Sequence, residues 1–214
     1  MSEMRTEEEQ IEAIKTWWNE NGKQTIVAVV VVLGGWVGFN NYQGSQLQSA
    51  QAASVVYQEI LALSASEDEA DNGQRAVLLD RLQTEYSSTV YSHFASLFKA
   101  KDAVVAGDLE LAEKELTNVV SNAKDQALQH TATVRLARVM IAAGKVDDAL
   151  ALLSNDKVGA FEAEYQEVTG DAYIAKGDKD SARDAYSKAV VAAQRIGANN
   201  PVLSMKLDDL AVAN

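Results

Sequence analysis

The stretch TGDAYIAKGDKDSARDAYSKAV, Thr169–Val190, decides the fold. It holds two segments with helical periodicity, joined at Gly177 and Asp178. The first carries Gly170 and Tyr173, and the second carries Ala182, Tyr186 and Ala189. Residues three and four apart lie on one face of a helix. Small residues on facing stripes let two antiparallel helices touch, and the tyrosines fill the space beside them. Gly177 suits the left-handed residue that ends a helix, and Asp178 suits the cap that starts the next. The stretch therefore predicts a helix–turn–helix hairpin.

The same pattern recurs upstream. LARVMIAAGKVDDALALL (Leu136–Leu153) keeps Leu136, Ala137, Gly144, Ala149 and Leu153. FKAKDAVVAGDLELAEKEL (Phe98–Leu116) keeps Ala100, Ala103, Gly107, Ala112 and Leu116. The three turn glycines stand 37 and 33 residues apart, near the period of roughly 34 of tetratricopeptide repeats. Ordinary amphipathic hairpins in a helical bundle would also end at glycine. The alanine five residues beyond each of the three glycines favours a repeat. The predicted fold is all-α, with a tetratricopeptide-like α-solenoid of antiparallel helix pairs.

Further helices flank the repeats. Gln46–Ala65 has a helical pattern, with Val55, Val56, Leu61 and Leu63 as its apolar positions. Ser66–Gly73 (SEDEADNG) reads as a polar turn, and Ala76–Tyr86 as a helix pairing back, an imperfect fourth unit. Pro201 suits the first turn of a last helix, where its missing N–H would be unpaired anyway. VLSMKLDDLAV then reads as a cap over the open end of the stack.

The abrupt change in composition lies near the N-terminus. IVAVVVVLGGWVGF, Ile26–Phe39, is 14 residues without a charge, roughly 21 Å of helix against a hydrocarbon core of ~30 Å. Extending it to Gln24–Tyr42 gives 19 residues and roughly 28 Å, enough to span. Lys23 can snorkel at one end and Tyr42 can sit among headgroups at the other. A buried core helix would show a polar face, and a buried strand would need partner strands. Ala50-Gln51-Ala52 has the form of a signal-peptidase site but lies far beyond the apolar run. The expected organisation is a cytoplasmic segment 1–23 with a short amphipathic helix, a transmembrane helix 24–42, and a tetratricopeptide-like domain 43–214.

Orientation follows from the basic residues. Arg5, Lys15 and Lys23 precede the span, and the next Lys or Arg is Arg75. By the positive-inside rule the N-terminus is cytoplasmic, which in a bacterial cell puts the domain in the periplasm. In the first segment, Thr6 and Glu9 form a capping-box pattern. Ile11, Ile14 and Trp18, with Trp17 beside them, make either an interfacial helix or an aromatic anchor. Gly34 and Gly38, with Trp36 between, offer a close-approach face to another membrane helix. Glycine is frequent in membrane helices in any case.

Composition narrows the chemistry. There is no cysteine, so disulfides, thiolate metal sites and cysteine nucleophiles are excluded. The net charge of −12 opposes nucleic-acid binding, which needs a positive surface. His93 and His130 have no carboxylate partners at metal-ligand spacing and read as surface or satisfied core residues. Ser87, Ser88 and Ser92 lack a nucleophile-elbow context. The acidic pairs Asp147-Asp148 and Asp208-Asp209 point apart on helices and read as solvated faces. No enzyme activity, cofactor or metal is expected.

Taken in order, several stretches carry a family resemblance. They are EEEQIEAIKTWWNENGK (Glu7–Lys23), the glycine-rich span ending GWVGFNNY, ASVVY (Ala53–Tyr57), VRLARVMIAAGKVDDAL (Val134–Leu150), GDAYIAKGDKDSARDAY (Gly170–Tyr186) and PVLSMKLDDL (Pro201–Leu210). Here the chain resembles the YfgM-type ancillary subunits of the bacterial Sec translocon. The resemblance implies a single-pass inner-membrane protein with a periplasmic domain. It also implies association with the SecYEG channel and with the membrane-anchored chaperone PpiD, in the handling of newly exported proteins, and a link to envelope-stress signalling. An adaptor or scaffold of another inner-membrane complex is the alternative.

Helix-pair stacks bind through the groove lined by the first helix of each unit. That rule selects Ser96, Lys99 and Ala103, then Thr133, Ala137 and Met140, then Gln166, Gly170 and Tyr173. With Gly34, Trp36 and Gly38 in the span, these are the candidate protein-binding residues, although several of the groove set must instead pack between units.

Overall fold

The computed structural model describes residues 7–65, 69–154, 158–198 and 200–210. Among them there are helices and turns and no strand. The helices are α1 (Glu7–Leu63), α2 (Glu69–Glu85), α3 (Val90–Ala106), α4 (Leu109–Asn122), α5 (Gln126–Ala142), α6 (Val146–Leu153), α7 (Glu162–Lys176), α8 (Lys179–Arg195) and α9 (Pro201–Asp208). A single 3-10 turn, Gly159–Phe161, leads into α7. The chain divides into two compact units, Met1–Gln51 and Ala52–Asn214.

The described residues of the first unit all lie within α1. The stretches expected as an amphipathic helix and a membrane span both belong to it, and Glu7, Glu8 and Glu9 occupy its first turn, where the helix dipole favours acid. Thr6 of the expected capping box lies outside the described residues. Ile11, Ile14, Trp17 and Trp18 are exposed, as are the valines of the apolar run. The helix is long and apolar enough, by length and composition, to cross a membrane.

The second unit begins with the last turns of α1. Ala53, Val56 and Ile60 are buried there against Leu78, Leu79 and Leu82 of α2. Expectation and structure differ in two places. Val55 and Leu61 are exposed rather than buried, because α2 and α3 cover the stripe one residue away. And α2 already starts at Glu69, so the latter half of the expected Ser66–Gly73 turn is helical, while residues 66–68 lie outside the described residues.

Three turns of the stack share one geometry. Gly107, Gly144 and Gly177 have φ of 79°, 78° and 79°, a region that side chains resist. In each, the residue after the glycine donates its N–H back to the carbonyl five residues earlier. The bonds are Asp108 to Ala103 (2.8 Å), Lys145 to Met140 (2.8 Å) and Asp178 to Tyr173 (2.9 Å). These are Schellman closures, which satisfy carbonyls that a helix end leaves orphaned. In two of the three turns the next residue caps the following helix. The Asp108 carboxylate accepts from Leu111 N–H at 3.0 Å, and that of Asp178 from Ser181 N–H at 3.1 Å.

The alanines five residues on, Ala112, Ala149 and Ala182, are each wholly buried, so paired helices meet where the repeat requires. Bulk across each pair is conserved. Ala100 shares a core cluster with Leu116, and Ala137 shares another with Leu153. At the equivalent place in the third unit Tyr186 is opposed by Gly170, where even a methyl would overlap the ring. A larger residue on one helix is met by a smaller one on the other, as close packing demands.

The C-terminal cap is α9. Asn200 caps it, accepting from Leu203 N–H at 3.2 Å, and Leu203 is buried with Ala182, Tyr186 and Ala189. Lys206 Nζ donates to Glu167 Oε1 (2.8 Å) and Asp171 Oδ1 (2.8 Å) of α7. Asp171 also accepts from the Tyr186 hydroxyl at 2.7 Å. Burial first, then the Asp171 carboxylate, holds the Tyr186 phenol well above its ordinary range.

Candidate protein-interaction surface

The candidate residues separate into three groups. In α1, Trp36 is 65 % exposed, and nothing stands within reach of a methyl placed on Gly34 or Gly38. This face is open.

The second group lies inside the stack, contrary to its selection as groove surface. Ser96, Thr133 and Ala137 are buried, as are Ala103 and Gly170. Ser96 Oγ accepts from Gln83 Nε2 (2.8 Å) and Asn118 Nδ2 (3.1 Å), joining α2, α3 and α4. The Thr133 hydroxyl turns back on the Gln129 carbonyl at 2.8 Å. Ala137 packs against Ala149 and Leu153 of α6 and Val168 of α7. In a chain rich in alanine, small residues mark where helices touch one another, and that leaves them no free surface.

The third group is half-buried. Lys99 Nζ donates to Asp80 Oδ1 (2.8 Å) and Gln83 Oε1 (2.7 Å), with Glu115 Oε1 at 3.6 Å. Burial alone would lower its pKa, but these carboxylates outweigh it and raise it. Gln83 also donates to Glu115 Oε2 at 2.7 Å. The network satisfies buried polar groups and ties α2 to α4. Met140 and Tyr173 pack on the core, and Gln166 is half-exposed.

What the groove rule missed is a cleft of about 510 Å³ between α3 and α5. One wall is a second apolar stripe of α3, with Phe94, Leu97, Phe98, Val104 and Val105 beside Lys101. The opposite wall is Arg135, Arg138 and Val139 of α5, and Ala100 and Leu116 lie between. Tyr57 closes one end, its ring 5.4 Å from that of Phe94 and 6.2 Å from that of Phe98. The signal was present in the sequence. Positions 94, 97, 98, 101, 104 and 105 follow helical spacing, one face round from the alanine stripe.

Both histidines are half-buried. His130 Nδ1 lies 2.9 Å from the Tyr165 hydroxyl and its ring 5.1 Å from that of Phe161. His93 Nδ1 is buried without a hydrogen-bond partner, and burial lowers its pKa. Among the described residues no three His, Asp or Glu gather as metal ligands.

Helix pairs closed by left-handed glycines, stacked and capped, define a tetratricopeptide-like repeat protein, and residues 15–212 match the tetratricopeptide repeat-like domain family. The chain is 33 % identical to a protein of Haemophilus influenzae over 95 % of this chain and 97 % of that one. It is 35 % identical to one of Aggregatibacter actinomycetemcomitans, over 86 % and 88 %. With one of Escherichia coli K12 it shares 31 % identity, over 96 % and 97 %. All three bear the name "Ancillary SecYEG translocon subunit". The chain belongs to this family of ancillary translocon subunits. No solved structure matches it significantly.

Proposed function

We propose that this chain is a non-catalytic, membrane-anchored interaction module that serves as an ancillary subunit of the SecYEG translocon. The observation that carries the reading is the pairing, in one chain of this family, of an exposed apolar helix with a helix-pair stack. An apolar face of α1 open at Gly34, Trp36 and Gly38 is costly in water and at home in lipid. The span runs over 24–42, following a cytoplasmic segment 1–23. Lys15 and Lys23 before the span, with no further Lys or Arg until Arg75, support a cytoplasmic N-terminus and a periplasmic 43–214 domain. There the stack assists periplasmic chaperones, PpiD among them, with newly exported proteins.

Photocrosslinking tests this. A photoreactive residue at Trp36 in native membranes is expected to give adducts with SecYEG subunits or PpiD. Their absence, with adducts to a different inner-membrane complex, sinks the reading in favour of another adaptor role. A periplasm-dependent enzyme fused after Asn214 is expected to be active, and inactivity with full expression would reverse the topology.

A further inference from the structure

We propose that the α3–α5 cleft docks a segment of a partner polypeptide that carries bulky apolar side chains flanked by Asp or Glu. The inference rests on the reading of the second unit as a polypeptide-binding stack, and it names the class of ligand and the place.

The argument is one of charge set against apolar surface. The chain carries −12 overall, yet its unpaired described arginines both lie at this cleft. The second unit has six arginines. Four of them, Arg75, Arg81, Arg183 and Arg195, are in ion pairs. Arg135 and Arg138 are the two described ones without a carboxylate, and both line the cleft. Lys101, likewise without a described partner, stands on the opposite wall. Between the walls the surface is apolar, and Val105 is 81 % exposed. A stack that pairs most of its arginines and leaves these two free beside exposed valines is shaped for a ligand that supplies both missing parts.

The spacing favours a peptide over a single-headed lipid. Arg135 and Arg138 stand three apart on one helix face, ~4.5 Å along its axis. Lys101 faces them from a different helix. Three cations on two walls match carboxylates distributed along a chain, whereas a fatty acid brings one charge at one end. The net negative charge of the chain disfavours loose association of such a segment, so the three cations favour docking at the cleft.

The test uses the full chain in zwitterionic nanodiscs and fluorescent 14-residue peptides, read by anisotropy. One peptide alternates Leu and Phe with Asp and Glu, and a second replaces the acids by Lys. Tighter binding of the acidic peptide is expected, weakening as salt rises. Arg135→Glu with Arg138→Glu should weaken it about tenfold, two exposed charge pairs being exchanged for repulsion. Both arginines are exposed and unpaired, so the fold should persist, as circular dichroism would show. Val105→Asp, which alters no cation, should also weaken it. Equal affinity for the two peptides, no binding of either, or binding of dodecanoate in their place would each overturn the proposal. Those results would leave the Trp36 adducts untouched, so this site and the translocon role can fail separately.

Discussion

Gly170 and Tyr186 show how finely the repeat is balanced at the scale of one residue. A methyl at Gly170 would meet the Tyr186 ring, which is itself buried and held by Asp171. The ring cannot retreat without breaking that hydrogen bond. Gly170→Ala is therefore expected to destabilise the stack by about 1–3 kcal/mol, the usual cost of overpacking. This is despite alanine's better helix propensity. Adding Tyr186→Leu turns the pair into the Ala–Leu combination of the other two units. The double variant should recover part of the loss, as chemical denaturation would measure. If Gly170→Ala alone is neutral, the volume-matching account is wrong. The glycine's place in the pattern was legible in the sequence. The reason this unit takes glycine where the others take alanine was not, since it depends on a ring arriving from another helix.

At the scale of the element, α3 does two jobs on two faces. Its small residues, Ala95, Ser96, Ala100 and Ala103, are buried against neighbouring helices. Its large ones line a cleft. A strong apolar period announces that a face will be covered, but it does not say by what. The small-residue stripe is the one that serves packing between helices, and there free surface is least available. Helix ends were easier to read, since a cap is local chemistry. Asp108 binds the N–H three residues on, and Asp108→Ala should cost about 1 kcal/mol, visible as a lower denaturation midpoint. A glutamate there, too long for the same geometry, should not restore it.

For the molecule as a whole, pH is the relevant variable. Burial lowers the pKa of His93, and its Nδ1 has no partner in the fold. A group held below its ordinary value of ~6.5 takes up its proton more readily when unfolded, so stability falls as pH drops through that value. Melting temperature is therefore expected to decline between about pH 7.5 and 5.5, and His93→Gln should flatten that part of the curve. An unchanged slope in the variant would assign the dependence to other groups. The acidic surface acts on a larger scale. A net charge far from zero opposes self-association of the second unit.

The sequence by itself determined what depends on neighbours along the chain: helices, left-handed glycine turns, the cap at Asp178, the helix start at Pro201, the repeat period and the uncharged run. These follow from backbone geometry and from a period that one helix imposes on itself. Only the tertiary structure decided which of two stripes on α3 is buried, that Ser96 and Ala137 are interior, and which arginines lack partners. Those outcomes depend on residues from different helices being brought to within a few ångströms, as when Gln83 meets Glu115, 32 positions on. No local pattern records such a meeting, because packing is settled by the competition of every helix for the same small faces.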